Sequence, residues 1–328
     1  TDIARELNLT PSTVSRALGN SPRVKELTKQ LVQAKAEELG YRPNVMAASL
    51  RKGVSGTIGM IVPRINRHFF SNAISGVQRE LNPAGLNLLI YQTEENYEKE
   101  VDGIETFMRN RVAGLIMSLS AGTTDIGHLE RLSRSGVAFV QFDRVAASIP
   151  SCKITNANFQ GAYDATRHLA DSGFKNIAHF AGALQLDVYR ERLRGYRTAL
   201  EHTGRAYRPE LVFENTITQD AGERTIMQAL ALGADALFSA GDFGALGAMT
   251  RLKEEGILIP QQFGIVGFAN EPFAKIMSPA LSSVDLSATL MGQRAALSLV
   301  EMLENHTPGE ELNQVIPTEL IIRTSSKR

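Results

Sequence analysis

Beyond residue 56 the hydrophobic positions fall into short unbroken runs: TIGMIV (57–62), LNLLIY (86–91), VAGLIM (112–117) and VAFVQF (137–142). Between them, over 69–85, 97–111 and 125–136, apolar residues recur with the helical period instead. A second set follows, with NIAHFAG (176–182), LVFEN (211–215), ADALFSA (234–240) and FGIVGFA (263–269), and helical patterns near 159–172, 188–203, 220–232 and 243–256. Apolar runs alternating with amphipathic helices predict βαβ units whose parallel strands are covered on both faces. Two comparable sets predict an α/β body of two Rossmann-like lobes.

The first 50 residues carry a different pattern. Ile3, Ala4 and Leu7 make a short helical stripe that breaks at Asn8 and Leu9. Thr10 then suits an N-cap and Pro11 the first helical position, after which Val14, Ala17 and Leu18 form the apolar face. Ser12, Thr13, Ser15 and Arg16 are left outside it. A third helix is predicted over 24–38, with Leu27, Leu31, Ala34 and Leu39 facing inward and Gly40 ending it. Two helices joined by a tight turn and backed by a third predict a helix-turn-helix. Small polar residues let such a helix press close to a DNA backbone, where hydroxyls and free N–H groups meet phosphate, and Arg16 is long enough to reach base edges.

Charge supports this division. The 328 residues sum to zero, yet residues 1–52 hold nine basic side chains against five acidic, a net +4 that leaves −4 on the remainder. A basic head on a mildly acidic body fits a phosphate-seeking module joined to a sensor. No stretch is long and apolar enough to span a bilayer, and the N-terminal residues lack a signal-peptide pattern, so a cytoplasmic protein without a membrane partner is expected. A single cysteine, Cys152, fits a reducing compartment.

The segments IARELNLTPSTVSRAL and ELGYRPNVMAASL make the resemblance specific: the chain is similar to the lactose-repressor (LacI) family of bacterial transcription regulators. The resemblance implies a helix-turn-helix domain over 1–43, a hinge helix over 44–53, and an effector-binding and dimerisation domain over 54–328. It implies the sugar-binding-protein fold, with lobe one near 54–155 and 286–313, lobe two near 156–285 and 314–328, and three crossovers between them. Base-reading positions fall on Pro11, Ser12 and Arg16, and phosphate-contacting positions on Thr10, Thr13 and Ser15, with Arg23 also within reach of DNA. In the hinge segment the resemblance implies roles for Asn44 and Ala47, and for Leu50 as a wedge in the minor groove. Lys25 departs from the Ser or Thr that usually caps the third helix.

Ligands of open α/β sheets collect at the carboxyl ends of the strands. The residues there are Phe69, Phe70, Asp143, Arg192, Asp242, Phe243, Phe268 and Asn270, expected to bind the effector. Aromatic faces beside a few charged or amide groups suit a polyhydroxyl ring, so a sugar or sugar derivative leads, with purines or nucleosides behind. Ala269 and Gly241 stand where relatives often carry polar ligand contacts, and Asn270 is a candidate substitute.

Other classes fit less well. GDFGALG is not the dinucleotide fingerprint, and is expected to let a helix pack closely on its strand. The six histidines show no metal spacing, and no nucleophile, base and acid fall together, so neither an enzyme nor a metal or other cofactor is expected. A sugar-binding protein without a DNA role would have no use for the basic head. The reading is a homodimeric repressor on near-palindromic operator DNA, controlled by a small-molecule effector.

Overall fold

The computed structural model describes residues 2–18, 21–39, 56–307, 309 and 311–328. The chain divides into two compact units, residues 1–56 and 57–328. In the first unit, α1 (Asp2–Glu6), α2 (Pro11–Leu18) and α3 (Glu26–Glu38) enclose a small core of Ile3, Ala4, Val14, Ala17, Val32 and Ala36, with Leu7, Leu9, Leu18 and Val24 packed against it. This corrects the expected register of α3. Leu27, Leu31 and Leu39 are 75%, 60% and 44% exposed, and Ala34 is exposed as well. The helix carries two apolar stripes turned by about 100° from each other, and the one built of smaller side chains faces inward. Val32 and Ala36 allow α1 and α2 to approach a short three-helix core that leucines would hold apart.

The second unit begins with β1 (Thr57–Val62), α4 (His68–Leu81), β2 (Asn87–Gln92), α5 (Tyr97–Arg109), β3 (Gly114–Met117), α6 (Gly127–Arg134), β4 (Ala138–Phe142) and β5 (Cys152–Asn156). It continues through α7 (Asn158–Asp171), β6 (Ile177–Phe180), α8 (Asp187–His202), β7 (Val212–Phe213), α9 (Gln219–Ala231), β8 (Ala236–Ser239), α10 (Asp242–Glu254), β9 (Gly264–Phe268) and β10 (Ser282–Asp285). The last elements are α11 (Ala288–Asn305), β11 (Asn313–Ile316) and β12 (Glu319–Ile321).

Two six-stranded sheets result, ordered β11-β5-β4-β3-β1-β2 and β12-β10-β9-β8-β6-β7. Among the described residues every pairing is parallel except β10 with β12. The sheets share one winding order, and the chain passes between them after β5, after β10 and after β11. Lobe one therefore extends to Ile316, since Asn313–Ile316 pairs in register with Lys153–Asn156. The runs expected as strands are strands, but CKITN and SSVD, too polar to stand out, are strands as well.

The glycines of GDFGALG serve the expected contact, since a Cβ on Gly244 would meet Ser239 Oγ of β8 at 2.9 Å, and a second one as well. A Cβ on Gly247 would overlap the Gln219 carbonyl and one on Gly222 the Gly244 carbonyl, so the motif brings α10 against α9, helix on helix. Among the described residues, no helix is long and apolar enough to cross a membrane.

Candidate functional site

The first candidate surface is the outer face of α2. Thr10 lies just before the helix, and its Oγ1 accepts the Thr13 backbone N–H at 3.2 Å while meeting the Ser12 and Thr13 hydroxyls at 2.9 Å each. This hydroxyl cluster fixes the helix start, as an N-cap does. Val14 and Ala17 point into the core, Pro11, Ser12 and Arg16 are exposed, and Thr13 and Ser15 are half-buried. The first turn holds no acidic residue, so nothing repels a phosphate from its free N–H groups. Arg23 is exposed in the turn before α3, its N–H held by Ser21 Oγ at 3.3 Å. Lys25 supplies no side-chain cap, and the first-turn Glu26, paired with Lys29 at 3.2 Å, offsets its charge. Asn44, Ala47 and Leu50 lie outside the described residues, as does the expected hinge helix.

The second candidate site is the cleft between the two lobes, a cavity of about 390 Å³ at the carboxyl ends of the strands. Phe69 and Phe70, in the first turn of α4, form one wall and meet edge to face at 5.1 Å. Asp143 follows β4 with φ +59 and is buried; its nearest side-chain donors are Ser118 Oγ at 3.4 Å and Arg144 Nε at 3.8 Å. Burial pushes its carboxyl above the usual range, and Arg144 and Arg192 pull the other way. Beside it, Arg144 Nη1 pairs with Glu95 Oε2 at 2.6 Å. Burial works against the Arg144 charge, but Tyr189, Glu95 and Asp143 together outweigh it and hold the guanidinium protonated.

Arg192 reaches the cavity from α8 in the opposite lobe. Its Nε donates to Asn158 Oδ1 at 2.9 Å and Nη1 to the Ala240 carbonyl at 2.8 Å, and the guanidinium lies 4.0 Å over the Phe268 ring. Burial lowers its affinity for the proton, opposed by Tyr189 and Asp143. No carboxylate lies within ion-pair distance among the described residues, and Nη2 is not committed to a protein acceptor. Asp143 and Arg192 thus face one cavity from opposite lobes, each with unused hydrogen-bonding capacity.

Two expected residues hold other places, and a third lines the cavity with its carboxylate already bonded. Phe268 is fully buried under Arg192 and supports it without lining the cavity. Asn270 turns away: its Nδ2 donates to Asp285 at 2.8 Å, its Oδ1 accepts from Arg323 at 2.8 Å, and its N–H is held by Ser283. It therefore does not substitute for a polar contact at Ala269. Asp242 forms part of the wall, but Ser283 Oγ donates to one carboxylate oxygen and the Glu271 N–H to the other, both at 2.7 Å. Burial pushes its pKa up to about 6.

The cavity also includes Arg64, Arg67, Glu95, Tyr189 and Glu271, which the apolar pattern did not single out. Tyr189 was recoverable, since it precedes Arg192 by three residues on α8 and so shares its face. Arg67 and Glu95 sit in loops, where no period marks a direction. Across the cleft, Gln185 Nε2 donates to the Ala121 carbonyl at 3.3 Å.

A helix-turn-helix unit on a two-lobed binding body, with a polar cavity between the lobes, defines a ligand-controlled DNA-binding regulator. The comparisons with known proteins agree. Residues 1–44 match "Bacterial regulatory proteins, lacI family", and residues 166–326 match the "Periplasmic binding protein-like domain". The chain is 30% identical over 333 residues to Catabolite control protein A of Priestia megaterium, covering 99% of this chain and 98% of that protein. It is 28% identical to the HTH-type transcriptional repressor CytR of Escherichia coli K12, covering 99% and 95%, and 29% identical to PurR of Vibrio campbellii, covering 100% and 98%. Among solved structures, the transcriptional regulator CelR–cellobiose complex superposes with a TM-score of 0.76 at 27% identity, covering 98% of each chain. The lac repressor dimer bound to operator and an anti-inducer shares the fold, at a TM-score of 0.88 and 24% identity, covering 100% of this chain and 98% of that one. The chain belongs to the lacI family of bacterial regulatory proteins. It is a transcription regulator that binds DNA and answers to a small-molecule effector.

Proposed function

We propose that the effector is a small polyhydroxylated molecule, a sugar or sugar derivative, and that the protein represses transcription as a homodimer on a near-palindromic operator in the cytoplasm. The pairing of Asp143 with Arg192 carries the effector reading. A carboxylate lacking a short hydrogen bond faces a guanidinium with a spare nitrogen, and neighbouring hydroxyls can donate to the first and accept from the second. Tyr189 and the phenylalanines of α4 offer faces for the CH side of a ring. At the other end of the chain, α2 would enter the major groove with Ser12 and Arg16 at base edges and Thr10, Thr13 and Ser15 at phosphates. A two-fold dimer would impose its symmetry on the DNA.

A purine effector is the second reading, favoured by the PurR relatives. Thermal-shift measurement of the full chain against monosaccharides, disaccharides, sugar phosphates, purines and nucleosides separates the two, because a ligand specific to the native state raises the melting temperature. A hit among sugars that is lost in Asp143→Asn supports the polyhydroxyl reading. A hit confined to purines replaces it.

A further inference from the structure

The mouth of the cleft is bridged by a contact that binding alone does not require. Arg67, the residue before α4 in lobe one, lays its guanidinium 4.1 Å over the ring of Phe243 in lobe two. Phe243 is braced edge to face by Phe273 at 5.1 Å. Beside them the Glu271 carboxylate, also from lobe two, lines the same cavity; burial pushes its carboxyl up, while the Arg67 charge and the His68 backbone N–H at the start of α4 favour its charged form. Arg67 itself gives α4 no side-chain cap, and Glu271 offers an anion from across the cleft.

The two halves are not equally rigid. On the lobe-two side, Asp242 joins Phe243 and Glu271 by preceding the first in sequence and accepting the backbone N–H of the second. The turn between them carries φ +111 at Ala269 and +47 at Asn270, and Asn270 is tied to Ser283, Asp285 and Arg323. The lobe-one side consists of one long side chain and one backbone N–H.

We propose that Arg67, Phe243 and Glu271 form a latch across the effector cleft that holds the lobes closed before any effector binds, so that effector entry requires Arg67 to let go. All three line the cavity, so the latch closes the same space the effector occupies. The effector then acts on an equilibrium already weighted toward closure, and the strength of the latch sets how much differential affinity it needs. This rests on the two-lobed fold and not on the identity of the effector.

The test is the distance across the cleft in the full chain without effector. Glu98 and Asp220 are exposed at the starts of α5 and α9, the helices that follow β2 and β7 at the sheet edges farthest from the crossovers. Nitroxide labels on cysteines placed there, in protomers diluted with unlabelled chain, report lobe separation by pulsed electron resonance, and the buried Cys152 takes no label. With the latch intact a single short-distance population is expected. Arg67→Ala should raise the ratio of open to closed by about fivefold, on the scale of a solvent-exposed cation–π contact, with Glu271→Gln shifting it less and Arg67→Lys least. Distributions that coincide in all four proteins overturn the latch, as does an intact chain that is already open. If Arg67→Ala fails to fold, Arg67→Lys and Glu271→Gln carry the same comparison.

Discussion

Single side chains here have separable jobs that their surroundings define. Arg16 is exposed on the face of α2 that carries the small hydroxyls, so Arg16→Ala should cost specific operator binding about 1–3 kcal/mol and leave salt-dependent binding to random DNA nearly intact. Equal loss on both DNAs, in a titration at two salt concentrations, would make it a phosphate contact only. Arg192→Ala should remove the effector response while operator binding without effector persists, which a gel-shift series with and without the identified ligand decides.

Two buried groups make opposite demands on pH. His179 is stacked between Tyr196 and Phe238, and burial lowers its pKa to about 4. The native state therefore binds fewer protons than the unfolded chain from about 6.5 down to about 4, and stability is lost as pH falls through that window. Asp242, raised to about 6, does the reverse: the native state holds an extra proton, and stability is gained as pH falls from about 6 toward 4. Each is worth on the order of 3 kcal/mol. Melting temperatures between pH 4 and 7 should fall less steeply toward acid in His179→Gln and more steeply in Asp242→Asn. Parallel curves for the three proteins would show that neither group titrates as described.

Elements show how much the sequence disclosed. Strands with unbroken apolar runs were legible because both faces of a parallel sheet are buried. β5 and β10 were not, since Lys153 is held by the Ile149 carbonyl and Ser282 and Ser283 by Ser326 and Asp242, interactions that leave no trace in hydrophobicity. α3 illustrates the converse, because two stripes satisfied the helical period and only packing against α1 and α2 chose between them. The start of α2 was plain from Thr10 and Pro11, and Thr10→Ala should destabilise the N-terminal unit by about 1 kcal/mol, read as a lower melting point of residues 1–56 expressed alone. In the cleft, Asp143 directly after β4 was found, whereas Arg67 and Glu95 in loops and Tyr189 on α8 were missed. Asn270 was misplaced because its partner, Arg323, lies 53 positions away in sequence.

At the scale of the molecule, the two lobes repeat one topology, and each finishes its sheet with a strand from the far end of the chain. β11 completes the first sheet and β12 the second. Beyond β12, the Ser325 N–H donates to the Ala280 carbonyl and its hydroxyl to the Ile265 carbonyl, while the Ser326 hydroxyl meets that of Ser282. The three N-terminal helices, by contrast, draw their core, among the described residues, from residues 3–36. During synthesis the DNA-reading unit can therefore fold while most of the chain is still unmade, whereas neither half of the sensor is finished until the last few dozen residues arrive. For that interval a nascent chain has its means of finding DNA and no means of sensing an effector.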